Sequence, residues 1–201
     1  MNTFLIYSLL IFTMTQAMIV FDLNGVLMKR LNKAKSKEIK EIETNNVMRD
    51  ITLNSSVVFL RPNFEELILF LRKHKARYIG WTTAISSTVE ELKLHLKGWG
   101  FEFEDILSQE YCDVGGVRPP DIKSEKWIKN LNIVAEKYKC SLKDCVLVDD
   151  SRNKSVEGQN FINVAEYNPL SNKEDQYLKE LCVALHDYVQ CNDDDCEYKK
   201  K

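Results

Sequence analysis

Three apolar runs in this 201-residue chain stop abruptly at residues that could do chemistry. Met18-Ile19-Val20-Phe21 ends at Asp22, with Asn24-Gly25 just beyond; Tyr78-Ile79-Gly80-Trp81 ends at Thr82-Thr83; Cys145-Val146-Leu147-Val148 ends at Asp149-Asp150-Ser151. A strand that is hydrophobic throughout belongs in the middle of a parallel sheet, and open α/β sheets do their chemistry outside the carboxyl ends of such strands. One sheet edge would therefore gather Asp22, Thr82, Asp149 and Asp150. Magnesium is held by one or two carboxylates together with phosphate and water, and Asp22 and Asp150 could supply those carboxylates. Lys123, Lys126 and Lys129, ahead of the third run, add positive charge. Such a set suits transfer of a phosphoryl group to an aspartate.

Each part also has an ordinary structural reading. Asn24-Gly25 between apolar runs is a strong type I′ hairpin signal. Thr82 could cap the next helix, Lys129 could be an exposed helical lysine, and Asp149-Asp150-Ser151 could form a turn. Their joint placement at strand ends favours a site.

The elements that must position these residues read as α/β. Leu27 to Ser56 is polar and irregular, an excursion or flap after the first strand. Val57-Val58-Phe59-Leu60 reads as a strand, and Pro62 suits the first turn of a helix carrying Phe64, Leu67, Ile68, Phe70 and Leu71. Val89, Leu92, Leu96 and Trp99 give a second helix, Ile106-Leu107 a strand, and Gly115-Gly116 with Pro119-Pro120 a loop. Trp127, Leu131, Val134, Ala135 and Tyr138 predict a third helix. Phe161 to Val164 is the last strand, and Leu178, Leu181, Leu185 and Val189 line a closing helix. Strands alternating with helices imply a Rossmann-like parallel sheet flanked by helices.

With 44% hydrophobic residues the chain can bury one core, and its length favours one domain, expected over residues 18–190 and followed by a charged tail over 191–201. A formal charge of −2 carries no polyelectrolyte signature, so no nucleic-acid partner is expected. The basic stretch from Lys29 to Lys40 turns acidic at Glu38, Glu41 and Glu43, as a solvated face does. The six cysteines show no paired Cys-x-x-Cys, which argues against a zinc ribbon or redox motif, and Cys145 reads as a buried thiol. Residues 1–17 are apolar, but no Lys or Arg precedes them as in a secretory signal, and the run is short for a membrane span. Signal, anchor and a true start at Met18 stay open, in rising order. A membrane association is expected only if that segment is retained; otherwise the expected compartment is cytoplasmic or nuclear.

The motif at Asp22, Asn24 and Val26 resembles that of the haloacid dehalogenase superfamily, hydrophobic-hydrophobic-Asp-x-Asp-x-Thr/Val, with Asn24 as the departure. The order of parts is also similar: aspartate, Ser/Thr, lysine, acidic pair. Receiver domains put the acidic pair first. A closer resemblance is to the RNA polymerase II C-terminal-domain phosphatases and their relatives, the nuclear LIM interactor-interacting factors. It rests on Leu60-Arg61-Pro62, Trp81-Thr82-Thr83-Ala84, Ile128-Lys129-Asn130-Leu131, Leu147-Val148-Asp149-Asp150-Ser151 and Asn163 to Tyr167, and covers nearly all of the chain after Met18.

That resemblance implies a Mg²⁺-dependent phosphatase acting on phosphoserine or phosphothreonine in proteins. Asp22 would form an aspartyl-phosphate, Thr82 would donate to the phosphoryl group, and Lys129, preferred over Lys123 and Lys126, would neutralise charge. Asp150 would bind the metal directly and Asp149 in the first or second shell, with the backbone carbonyl of Asn24 as a further ligand. In the family the second aspartate is the general acid and base. An amide has no proton to give near neutrality, and such help is typically worth about 10²–10⁴-fold in rate, so slow turnover is expected. Asn-Gly is also the dipeptide most prone to deamidation, which would create aspartate at position 24. The competing expectation is a catalytically silent binding protein on the same fold, either a phosphopeptide binder or something like the receptor subunit of the mitochondrial presequence translocase. An Arg-rich targeting segment, which a mitochondrial role would want, is not seen. Ile85 keeps an apolar residue where the polymerase-tail phosphatases have a pocket, while Thr88 replaces their tyrosine, so tail-specific recognition is not expected.

Overall fold

The computed structural model describes residues 17–115, 127–171 and 175–189. The apolar segment before Ala17, the Gly116 to Pro120 part of the loop, Lys123, Lys126 and the tail from Asn192 lie outside them.

In chain order the elements are β1 (Met18–Phe21), β2 (Met28–Asn32), α1 (Ser36–Thr44), β3 (Ile51–Thr52), β4 (Ser56–Leu60), α2 (Phe64–Lys73), β5 (Arg77–Trp81), α3 (Ser86–Gly98), β6 (Ile106–Leu107), β7 (Asp113–Val114), β8 (Trp127–Ile128), α4 (Leu131–Tyr138), β9 (Cys145–Asp149), β10 (Phe161–Asn163) and α5 (Tyr177–Leu185). The central sheet has the order β10-β9-β1-β5-β6 and is parallel throughout. β1 lies in its middle, with Phe21 opposite Gly80 of β5 and Val148 of β9.

The period-2 alternation of β1 splits the core between two faces. Ile19 and Phe21 pack on one side with Leu67, Phe70 and Leu71 of α2, Val89, Leu92 and Leu96 of α3, and Leu178 and Leu181 of α5. Met18 and Val20 pack on the other with Ile79, Trp81 and Leu147 and with Leu131 and Val134 of α4. Burial on both faces explains why these strands are apolar at every position, and makes the abrupt polar stop at each carboxyl end legible.

The hairpin reading of Asn24-Gly25 fails: β1 pairs in parallel with β5 and β9, whereas β2 pairs antiparallel with β4. The excursion after β1 is also more ordered than its polar sequence predicts. β2, β4 and β3 form an antiparallel sheet in the order β2-β4-β3. Leu31, Val57 and Phe59 of that sheet pack against Ile39 and Ile42 of α1 and against Tyr167. The strand expected over 57–60 thus belongs to this second sheet, not the central one.

Four helix boundaries differ from expectation: Trp99 follows the end of α3, Val189 lies beyond α5, which ends at Leu185, and two helix starts shift. Trp127 is in β8, not in the following helix; Asn130, whose side chain accepts from Asn132 N, caps α4, so the helix starts at Leu131. Pro62 stands ahead of α2, because Asn63 takes a left-handed conformation (φ 65°) at the cap position.

Candidate active site

Asp22 is the first residue past β1, and its N–H still donates to Val148 O at 2.8 Å, so the carboxylate is carried on the last rung of the sheet. It is 2% exposed. Its Oδ1 accepts from Leu23 N at 2.7 Å and lies 3.1 Å from Lys129 Nζ, while its Oδ2 lies 2.6 Å from Lys154 Nζ. Both oxygens are engaged, which fixes the rotation of the carboxylate.

Asp149 is the last residue of β9, the neighbouring strand, and is fully buried. Its Oδ2 is 2.7 Å from Lys129 Nζ and its Oδ1 is 3.1 Å from Lys154 Nζ; Ser151 N donates to Oδ1 at 2.9 Å. Two aspartates and two lysines therefore close a ring of four ion pairs. Asp150 joins from outside it, with Oδ1 3.3 Å from Lys154 Nζ. One carboxylate oxygen from each of Asp22, Asp149 and Asp150 lies within 4.8 Å of the others, a spacing that suits a hard cation.

Lys129 is fully buried just before α4. Its backbone is pinned on both sides: Lys129 N donates to Lys154 O at 2.7 Å, and the Gln159 side chain donates to Lys129 O at 2.9 Å while accepting from Leu131 N at 3.0 Å. A buried ammonium is tolerated only when paired and hydrogen-bonded, and two aspartates meet that condition. The exposed-lysine reading is thereby excluded. Lys154 is drawn in two directions. Burial alone would lower its pKa, but the charges of Asp22, Asp149 and Asp150 outweigh it and raise the pKa, so the side chain is cationic at any ordinary pH.

Thr82 follows β5, adjacent to β1, and is buried. Its N–H continues the ladder to Leu107 O at 2.9 Å, and its hydroxyl oxygen accepts from Ala84 N at 3.2 Å. It does not cap α3, whose first residue is Ser86.

Asn24 sits in the turn between β1 and β2. Its Oδ1 accepts from Arg30 N at 2.7 Å, tying the turn to β2. Gly25 adopts φ +96° and its N–H donates to Met28 O at 2.7 Å. A Cβ there would stand 2.1 Å from Asp150 Oδ2, so only glycine lets the turn lie against the acidic pair.

Sequence reading expected Asp22, Thr82, Asp149 and Asp150 on one sheet edge, and the resemblance added Asn24 and Lys129; the structure brings Asp22, Lys129, Asp149 and Asp150 into one cluster. It missed Lys154, whose signal was a lysine five residues beyond Asp149. It also gave no role to Arg61, which is buried against Asp175 and donates to Gly25 O at 3.3 Å and Val26 O at 3.1 Å.

Among solved structures, similarity is found to Fcp1, an essential RNA polymerase II CTD phosphatase, at 16% identity and TM-score 0.49, covering 76% of this chain and 42% of that one. A fission yeast Fcp1 variant bound to beryllium fluoride matches with the same values. A HAD-superfamily hydrolase from Geobacter sulfurreducens matches at 12% identity and TM-score 0.41, over 69% of this chain and 82% of that one. The chain thus spans less than half the length of the Fcp1 structures it matches. No curated protein matches the sequence. The family described as NLI interacting factor-like phosphatase matches over residues 17–196, nearly the whole of the chain, and this protein belongs to that family.

Proposed function

We propose that this protein is a phosphoprotein phosphatase that works through an aspartyl-phosphate on Asp22. The observation that carries the reading is the placement of a buried Asp22 at the end of the central strand, its carboxylate fixed between two lysines and backed by Asp149 and Asp150.

Asp22 attacks phosphorus, forming the acyl phosphate and expelling the serine or threonine alkoxide; water then attacks the acyl phosphate, releasing inorganic phosphate and restoring Asp22. Lys129 supports the negative charge of Asp22 and of the incoming phosphoryl oxygens, and the Thr82 hydroxyl donates to one of them. Asn24 provides neither the proton for the leaving oxygen nor a base for the water, so both come from solvent. That penalises poor leaving groups most. The carboxylates of Asp22, Asp149 and Asp150, with the Asn24 carbonyl, form a donor set suited to Mg²⁺. When bound, Mg²⁺ would offset phosphoryl charge. Three carboxylates against Lys129 and Lys154 leave the site at a formal charge of −1, which disfavours a phosphate dianion until a divalent cation adds positive charge.

A second reading, a silent phosphopeptide-binding protein, is favoured by the Asn24 side chain, whose oxygen is committed to Arg30 N in the turn. The substrate class in either case is a phosphorylated protein or peptide. Among the described residues no helix is long and apolar enough to cross a membrane, and the proposed compartment is cytoplasmic or nuclear.

The test is hydrolysis of p-nitrophenyl phosphate and of a phosphoserine peptide with Mg²⁺ by the wild type, Asp22→Asn and Asn24→Asp. Wild-type turnover lost in Asp22→Asn supports the phosphatase. Turnover by Asn24→Asp alone favours the silent binder, and none by any folded variant removes Asp22 from its role.

A further inference from the structure

The cation-binding triangle already contains a cation. Lys154 Nζ stands 2.6 Å from Asp22 Oδ2, 3.1 Å from Asp149 Oδ1 and 3.3 Å from Asp150 Oδ1. An ammonium group has three donors, and here each faces a different carboxylate. Those carboxylates are the group spaced to hold a metal ion. From this we infer that the Lys154 ammonium takes the place of the divalent cation, so that Lys154 and a metal ion compete for Asp22, Asp149 and Asp150. The inference rests on the reading of that triangle as the metal site of the proposed phosphatase.

The local backbone aims the side chain there. Lys154 ends a short 3₁₀ turn, Arg152–Lys154, directly after the acidic pair; its N–H donates to Ser151 O at 3.0 Å and its carbonyl accepts from Lys129 N at 2.7 Å. The main chain is therefore held at both of its polar groups. From that anchor the four-carbon stem delivers the charge to the carboxylates, with the side chain a quarter exposed and so able to swing out. Lys129 does not share this position. It holds Asp22 Oδ1 and Asp149 Oδ2, the opposite oxygens of the same two carboxylates.

Mg²⁺ requires contacts of about 2.0–2.1 Å to oxygens that Lys154 now holds at hydrogen-bond distance, and two cations cannot share one such triangle. Metal binding must displace the lysine and break its three ion pairs, which lowers metal affinity. Without metal, the same three pairs relieve the repulsion among the carboxylates. On this inference a divalent cation enters the triangle only at a concentration high enough to displace Lys154.

The test is isothermal titration of the full chain with Mg²⁺ at fixed pH and ionic strength, for wild type, Lys154→Met and Lys154→Arg, with circular dichroism to confirm folding and thermal melts with and without Mg²⁺. Lys154→Met is expected to bind Mg²⁺ at least tenfold more tightly than wild type, to melt at a lower temperature without metal, and to recover on its addition. Lys154→Arg, which keeps the charge, is expected to stay weak. Equal affinity in wild type and Lys154→Met would overturn the competition while leaving the metal site in place; no binding by either folded protein would overturn the metal reading with it. Should Lys154→Met not fold, Lys154→Gln takes its place with the same expectations.

Discussion

Arg61 and Asp175, 114 residues apart in sequence, meet with the guanidinium 2.9 Å from the carboxylate and neither side chain exposed. The guanidinium also lies over the rings of Tyr177 and Tyr167, 4.9 and 5.6 Å from their centroids, and donates to the carbonyls of Gly25 and Val26. It ties the start of α5 to the turn behind Asp22. Removing one partner of a buried pair strands the other charge, so Arg61→Leu is expected to destabilise the fold by about 3–5 kcal/mol. Urea denaturation of the two proteins checks this; a loss under 1 kcal/mol would mean that Asp175 finds another partner.

Asn24→Asp keeps an oxygen to accept from Arg30 N and adds a titratable group. Turnover of the phosphoserine peptide is expected to rise by about 10²–10⁴-fold, and that of p-nitrophenyl phosphate by less, because an aryl oxide needs no proton to leave. Steady-state rates on both substrates measure the contrast, and an equal gain on both would argue against a missing acid.

Gly25→Ala sets two penalties on one residue. The φ of +96° is a conformation L side chains rarely adopt, and the new Cβ would meet Asp150 Oδ2. A loss of roughly 1–3 kcal/mol is expected from the backbone alone, with Asp150 driven from its place. Chemical denaturation gives the first number, and weakened Mg²⁺ binding relative to wild type reports the second.

The Asn24-Gly25 bond is expected to survive in the folded protein despite its composition. Deamidation begins when the following backbone nitrogen attacks the side-chain amide, and here Gly25 N–H is committed to Met28 O while the Asn24 oxygen is held by Arg30 N. Peptide mass spectrometry after weeks of storage should find intact Asn24 in native samples and aspartate or isoaspartate in samples kept in urea. Rapid conversion in native samples would mean the turn opens readily.

Alkaline pH is expected to weaken the fold. Burial pushes the Cys182 thiol up to about 12; burial and the hydrogen bond with the Cys140 thiol, 3.4 Å away, push Cys145 up to about 12. In the unfolded chain a thiol loses its proton near about 8.5. The folded state keeps the proton after the unfolded state has lost it, so the contribution is complete below that value and lost as pH rises toward 12. Denaturation at pH 8 and pH 10 should show the fall, and Cys182→Ala should flatten it.

The sequence by itself determined the central sheet and most of the site. A strand buried on both faces must be apolar at every position, so β1, β5 and β9 and their polar ends can be read by eye, and with them Asp22, Thr82, Asp149 and Asp150. Lys129 was singled out from Lys123 and Lys126 only by the family resemblance that Ile128, Asn130 and Leu131 carry, and its full burial was not legible, since a lysine before a helix is usually exposed. Of the flap sheet only β4 was legible, because β2 has two apolar residues among three polar ones and β3 is two residues long. Only the tertiary structure decided where the Lys154 ammonium lies and the pairing of Arg61 with Asp175. Both depend on long side chains reaching atoms that the chain brings close only after β9 has docked beside β1 and α5 has closed over α2, and no local pattern encodes where a charge at the end of such a stem will come to rest.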